Sequence, residues 1–447
     1  MGVFALFATA AFASGGEIVA GVPAVFGIRV EFILFALTLL GVALFHHHTL
    51  KVALTGLTAI LAFKFMFDPG FHFVEHLIGE HPFFEQVLDK ESREGEWSIL
   101  LNLFGLLVGF AILAKYFEDS GVPDFLPKWL PDDWKGPFVL LAIVYILSTF
   151  LDNIAAAMIG GTIALVVFNR KVHIGYIAAL VAASNAGGAG SVLGDTTTTM
   201  MWIDGVSAFD VTPAFVASAA AFFAFAFFAS FQQDKYQRII KDEIGQFHID
   251  YMKLAIVGLI LVATIITNVL FDFPAFGVWI AILVGSLLRK APWHEAKDAI
   301  AGSIFLLSLV LAASLMPVSE LPPASWMSAL GLGFISSVFD NIPLTKLALD
   351  QGGYDWGVLA YAVGFGGSMV WFGSSAGVAI SGRMPEARSV AKWIIGGWHV
   401  ILAYVVGFFV MLWLVGWNPH PPHRAEHINQ AIEAAATAPS ADSLGVE

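Results

Sequence analysis

Two seven-residue stretches set an ionisable group where the chain is otherwise apolar. S-T-F-L-D-N-I over 148–154 and S-S-V-F-D-N-I over 336–342 each carry an Asp-Asn pair, Asp152-Asn153 and Asp340-Asn341, four residues after a serine, Ser148 or Ser336. A third carboxylate, Asp195, opens D-T-T-T-T and is followed by Thr196, Thr197 and Thr198. Carboxylates, side-chain amides, hydroxyls and free carbonyls form an all-oxygen set of the kind hard cations prefer. A carboxylate that holds either a metal ion or a proton, but not both, is the simplest device for coupling their movements. An unpaired Asp in hydrocarbon costs about 3 kcal/mol or more. Its recurrence at matching places therefore points to function rather than to helix capping alone.

A second pair of stretches follows the first at similar distance. S-N-A-G-G-A-G-S-V-L-G-D-T-T-T-T over 184–199 aligns with G-F-G-G-S-M-V-W-F-G-S-S-A-G over 364–377 through Gly187-Gly188 with Gly366-Gly367 and Gly194 with Gly373. Asp195 then faces Ser374, with Ser375 beside it. The halves match in glycines and differ in charge.

These residues need a membrane scaffold. Of 447 residues, 58% are hydrophobic and 13% charged, above the apolar share of about 45–50% in soluble globular domains. Apolar runs of about 20 residues recur between short polar loops, which is helical spacing and not that of a β-barrel. The fold class expected is an all-α polytopic membrane protein. With no cysteine, disulfides, thiol chemistry and thiolate-bound metals are excluded. No basic stripe suggests nucleic acid, and the net charge of −13 sits mostly in loops and tail.

Along the chain, residues 1–27 are an N-terminal segment with a small-x-small site at Ala11-Phe12-Ala13, a possible signal peptide. Spans are expected at 28–45, 49–67, 97–117 and 211–231, with 68–96 as a surface loop. The region 136–168 is interrupted halfway by Asp152-Asn153. Each arm of about 15 residues reaches roughly 22 Å, short of the ~30 Å hydrocarbon core, which suggests a re-entrant hairpin. A broken span follows at 173–202, unwound at its glycines. After a cytoplasmic linker at 232–250, the second half has spans at 251–271, 274–289 and 302–317, a hairpin at 326–350, a broken span at 355–381 and a last span at 391–415. The tail over 417–447 is expected to be disordered.

With the first hairpin entering from the cytoplasm, Lys135, Arg170, Lys171, Lys235, Arg289, Lys290, Arg383 and most other basic residues fall on the cytoplasmic side. Five spans plus one hairpin per half is an odd number of crossings. The expected architecture is thus two inverted repeats, 28–231 and 251–416, whose broken helices meet at the midplane, a signature of secondary transporters.

Three further features are weighed. Lys346, six residues after Asp340, is either a salt-bridged lysine near the outer surface or a countercharge to an Asp in the ion-free state. His46, His47 and His48 could sense pH, though a solvated loop explains them. His420, His423 and His427 in the tail offer only adventitious metal binding.

The motifs S-T-F-L-D-N, S-N-A-G-G-A-G-S-V-L-G-D-T-T-T-T-M-M-W, S-S-V-F-D-N-I-P-L and G-G-S-M-V-W-F-G-S-S-A-G-V-A resemble those of NhaD-type sodium/proton antiporters. That family belongs to the ion transporter superfamily, which includes arsenite and di- and tricarboxylate carriers. The resemblance covers about 97–415. It implies ion-binding or transport roles for Ser148, Asp152, Asn153, Asn185, Asp195, Thr197, Thr198, Ser336 and Asn341, and a homodimer with a scaffold and a moving transport domain. Ala155, Ala156 and Ala157 stand where the family tends to have threonines, and Thr345-Lys346 where it is usually apolar or small.

The primary expectation is a secondary antiporter of Na+ or Li+ against H+ in a cell inner membrane. Its partners are small inorganic ions and lipid, with no cofactor and no nucleic acid. One alternative is a Na+-coupled carrier of a carboxylate or oxyanion, in which case buried Arg or Lys should line the site. Another is a non-transporting membrane subunit of the same fold. With no nucleotide-binding loop or nucleophile elbow, no enzyme is expected.

Overall fold

The computed structural model describes residues 23–25, 27–45, 48–240 and 248–421. Most of the N-terminal segment, His46, His47, and the tail beyond 421 with His423 and His427 lie outside them. Among the described residues, apart from a two-stranded antiparallel ribbon pairing Ala24 with Arg29 and Val25 with Ile28, the regular structure is helical. The main helices are α1 (Val30–Leu44), α2 (Thr49–Phe67), α3 (Trp97–Glu118), α4 (Lys135–Leu147), α5 (Asn153–Val167), α6 (Ile174–Gly188), α7 (Thr196–Ile203) and α8 (Ala214–Tyr236). They continue with α9 (Tyr251–Phe271), α10 (Pro274–Leu288), α11 (Trp293–Ser314), α12 (Trp326–Ser336), α13 (Asn341–Gln351), α14 (Trp356–Gly366), α15 (Ser375–Arg383), α16 (Val390–Gly396) and α17 (Trp398–Leu414). Among the described residues, five helices are long and apolar enough to cross a membrane, or six if the bent pair α16 and α17 is one span.

The order from α3 to α8 recurs from α11 onward: a long helix, a hairpin of two short arms, then two short helices separated by a break. Hairpin arms α4 and α5 contain 13 and 15 residues, and α12 and α13 contain 11 each. At 1.5 Å per residue, none of the four arms reaches the ~30 Å of a hydrocarbon core. Large side chains such as Phe65, Leu270, Leu287 and Trp413 are exposed on the outer helices, as befits a surface solvated by lipid tails.

The core runs through the broken helices. Every residue of α14 and almost all of α6 are buried, and they read as near-continuous small or apolar residues because each is packed on all sides. Close approach explains two of the glycines. A Cβ on Gly187 would lie 2.0 Å from the Tyr145 carbonyl oxygen in α4, and one on Gly366 2.3 Å from the Gly333 carbonyl oxygen in α12. Each broken helix is thereby pressed onto its own hairpin at the turn where it ends. Ser148 and Ser336 repeat this correspondence, donating to the Ser184 carbonyl at 2.5 Å and the Val363 carbonyl at 2.7 Å.

Several boundaries differ from expectation. Helix α6 continues to Gly188, so the first break covers only 189–195. Helix α11 begins at Trp293 rather than near 302, because its first turns carry His294, Glu295, Lys297 and Asp298 and need not be apolar outside the membrane. The expected last span is bent by 62° between α16 and α17, where Gly396 and Gly397 interrupt the run. The loop over 68–96 contains two short helices, Phe73–Ile78 and Phe83–Leu88. It is not all surface: Gln86 and Glu96 are buried. At the other end of the molecule, the Arg289 side chain holds the Asp250 carboxyl below its usual range as Asp250 caps α9.

Candidate functional site

Four short helices begin where the hairpins and breaks meet, and their N-cap residues are Asp152, Asp195, Asp340 and Ser374. A helix end inside apolar surroundings leaves N–H groups that must find acceptors. Asp152 accepts from Ile154 N at 3.1 Å, and Asp340 accepts from Ile342 N at 3.1 Å. Ser374 accepts from Gly377 N at 3.3 Å. Asp195 makes no such cap bond with its side chain, and its carboxylate turns instead toward the centre.

A chain of side-chain hydrogen bonds runs through that centre. Asn153 Nδ2 donates to Asp195 Oδ1 at 2.9 Å and to Asn185 Oδ1 at 3.1 Å. Asn185 Nδ2 donates in turn to Ser368 Oγ at 2.9 Å, joining the two broken helices. From the second hairpin, Asn341 Nδ2 donates to Thr197 Oγ1 at 2.7 Å. All six residues are buried. Asp195 Oδ2 and Asn153 Oδ1 are buried oxygens left without a well-aligned hydrogen bond, an arrangement that costs about 1–3 kcal/mol per neutral group and more for a charge. Thr197 lies beside the Asp195 carboxylate, which is in electrostatic reach of both Asp152 and Asp340.

The remaining expected residues take other places. Thr198 donates to the Ser191 carbonyl at 2.5 Å and the Asp195 carbonyl at 2.9 Å, so its hydroxyl clamps the break and does not face the centre. Thr196, Asp152 and Ser375 line a cavity of about 1030 Å3 between α3, α5 and α11. Arg383 and Thr162, hydrogen-bonded to each other, lie on the same wall. Lys346 is buried, with Nζ 2.6 Å from Asp350 Oδ1, 3.1 Å from Glu96 Oε2 and 3.9 Å from Asp204 Oδ1.

Ser368 is a member of the network that sequence reasoning did not select. Its signal was weak, a serine within a glycine-rich run whose counterpart in the first half is Ala189.

Residues 25–366 match the CitMHS family, described as citrate transporters. Two proteins of Arabidopsis thaliana are similar. Sodium/proton antiporter 1 is 29% identical over 350 residues, covering 66% of this chain and 58% of that protein. Sodium/proton antiporter 2 is 26% identical over 293 residues, covering 55% of this chain and 69% of its own length. The chain thus spans less than two thirds of the first of these relatives. The family match covers most of the chain, which belongs to the CitMHS citrate transporter family and is a multi-pass helical membrane protein.

Proposed function

We propose that this chain is a secondary antiporter exchanging Na+ or Li+ for H+ across a cell inner membrane. One observation carries the reading. Asp195, 1% exposed, has one carboxylate oxygen bonded to Asn153, while the other, beside Thr197, makes no well-aligned hydrogen bond. Either a proton or a dehydrated cation relieves that oxygen, and the two exclude each other. The cavity beside it presents Asp152, Glu118, Asp119, Asp124 and Glu295 against Lys115 and Arg383, a field that concentrates cations. The two relatives, named as sodium/proton antiporters, support the same cargo.

The family description, citrate transporter, favours an anionic cargo as the second reading. Helix N-termini attract anions, but three of the four that converge here already carry Asp152, Asp195 and Asp340. Two of these positive ends are capped by the Asp152 and Asp340 carboxylates, and the Asp195 carboxylate adds a third negative charge at the centre. In this reading of the mechanism, Na+ is the cargo held by Asp195, Asn153 and their neighbours, the two halves are inverted repeats, and a homodimer moves its transport elements in an elevator-like way.

Proteoliposomes with a trapped pH indicator test it. Addition of Na+ or Li+ should move protons while K+ and citrate do not; citrate-driven uptake without cation-driven proton movement would replace the antiporter reading with the anion carrier.

A further inference from the structure

We propose that the crossing of the two broken helices builds a single cation site shared by both halves, with Ser368 as one of its polar members and Gly364 as the clearance that lets Asp195 into place. The inference deepens the antiporter reading and rests on it.

A duplicated chain can carry two equivalent sites, one per hairpin tip, or one site to which both tips contribute. The side chains at corresponding positions decide between these. Aligned through their glycines, Asn185 corresponds to Gly364, Asp195 to Ser374, Thr197 to Ala376, and Ala189 to Ser368. In each pair but one, a polar group in one half faces a residue with no functional side chain in the other. The exception, Ser374, spends its hydroxyl oxygen on its own helix by accepting from Gly377 N. The second half keeps Asp340-Asn341 at its tip but has no counterpart of the Asp195 carboxylate or the Asn185 amide.

The two hairpin tips obey the same asymmetry. Asn153 donates to Asp195 in its own half, whereas Asn341 crosses over and donates to Thr197, two residues from Asp195 on the same short helix. Both tips thus converge on α7. Ser368 also reaches across, accepting from Asn185. Gly364 completes the case, since a Cβ there would lie 2.6 Å from Asp195 Oδ2, the oxygen that makes no well-aligned hydrogen bond. Alanine is the better helix former by about 1 kcal/mol, so glycine at this helical position is explained by what it leaves room for.

Equilibrium binding of radiolabelled Na+ to the purified full chain tests the stoichiometry, alongside Na+-driven proton movement in proteoliposomes. The parent should bind one Na+ per chain. Asp195→Asn should bind none. Asp340→Asn and Ser374→Ala should still bind one, whatever their affinity. Gly364→Ala and Ser368→Ala should each weaken Na+ binding by about tenfold or more, the scale of one lost polar partner. Without Na+, Gly364→Ala should unfold near the parent, and Ser368→Ala, which leaves the Asn185 amide unpaired, somewhat lower but still in one cooperative transition, showing that the fold is intact. Two ions per chain in the parent, a halved count in Asp340→Asn, or parental affinity in both Gly364→Ala and Ser368→Ala would overturn the shared site. Exchange that persists with two ions bound would leave the antiporter reading standing. No cation-driven proton movement by the parent would remove that reading and this inference together.

Discussion

Asn341 Nδ2, at the start of the second hairpin's outgoing arm, lies 2.7 Å from Thr197 Oγ1 on the first half's broken helix, a contact between residues 144 apart in the chain. The bond ties one half's tip to the helix that Asp195 opens in the other half. Thr197→Val removes the acceptor while keeping the shape and leaves a buried amide unpaired, a loss of about 1–3 kcal/mol. The expected result is a lower unfolding temperature and strongly reduced exchange, with Thr197→Ser near the parent in both. Thermal unfolding in detergent and proton movement in proteoliposomes check it together; a Val variant as active as the parent would make the contact incidental.

Asp195 should be indispensable and its counterpart Ser374 should not. Asp195→Asn keeps the volume and most hydrogen-bonding capacity but cannot exchange a proton, so cation-driven proton movement should vanish while the fold persists. Ser374→Ala loses a helix cap, which costs about 0.5–2 kcal/mol, and should only weaken exchange. Retained activity in Asp195→Asn would discard this carboxylate as the carrier.

What the sequence made legible is largely what repeats. Asp152-Asn153 and Asp340-Asn341 interrupt apolar runs twice, so the short helices on either side of each pair begin and end close to the bounds read from the sequence. Single events were harder to read. The bend at Gly396 and Gly397 has no counterpart in the first half, and the polar first turns of α11 hide its true start. Ser368 gains its meaning only by facing Asn185, 183 residues away. Glu96 ends what reads as a surface loop, yet it is 3% exposed against Lys346, 250 residues further on. Hydropathy sees each residue's neighbours in sequence, while these pairings are set by how helices cross.

Lys346 offers a stability prediction. Its ammonium lies among Glu96, Asp204 and Asp350, and it ties the start of α3 and the end of α7 to the second hairpin. Removing one partner of a buried ion pair costs about 3–5 kcal/mol because the other charges stay buried. Lys346→Met should therefore lower the unfolding temperature markedly, and Lys346→Met with Glu96→Gln should recover part of the loss. Equal unfolding temperatures for parent and single variant would show that the cluster contributes nothing to the fold.

Topology can be probed directly, because the chain has no native cysteine. If α4 and α5 enter and leave by the same face, cysteines at Lys135 and Lys171 should react with a membrane-impermeant reagent from the cytoplasmic side only. Labelling from opposite sides would mean that this hairpin crosses the membrane.

The final prediction concerns competition between ion and proton. Asp152 lines the cavity and Asp195 is enclosed behind it, each in the other's field. Two such carboxylates release protons as a pair rather than as separate residues. Na+ binding must displace a proton from that pair, so raising the pH should lower the Na+ concentration needed for half-maximal exchange until the pair is fully ionised, after which the requirement levels off. Asp152→Glu should displace the curve along the pH axis. Asp152→Asn should flatten it, because an amide offers no proton to exchange on the cavity side. Measurements between about pH 6 and 9, well above the reference Asp value near 3.9, resolve the shape. A full parental pH dependence in Asp152→Asn would assign the competition to Asp195 alone and leave Asp152 as the cap of α5.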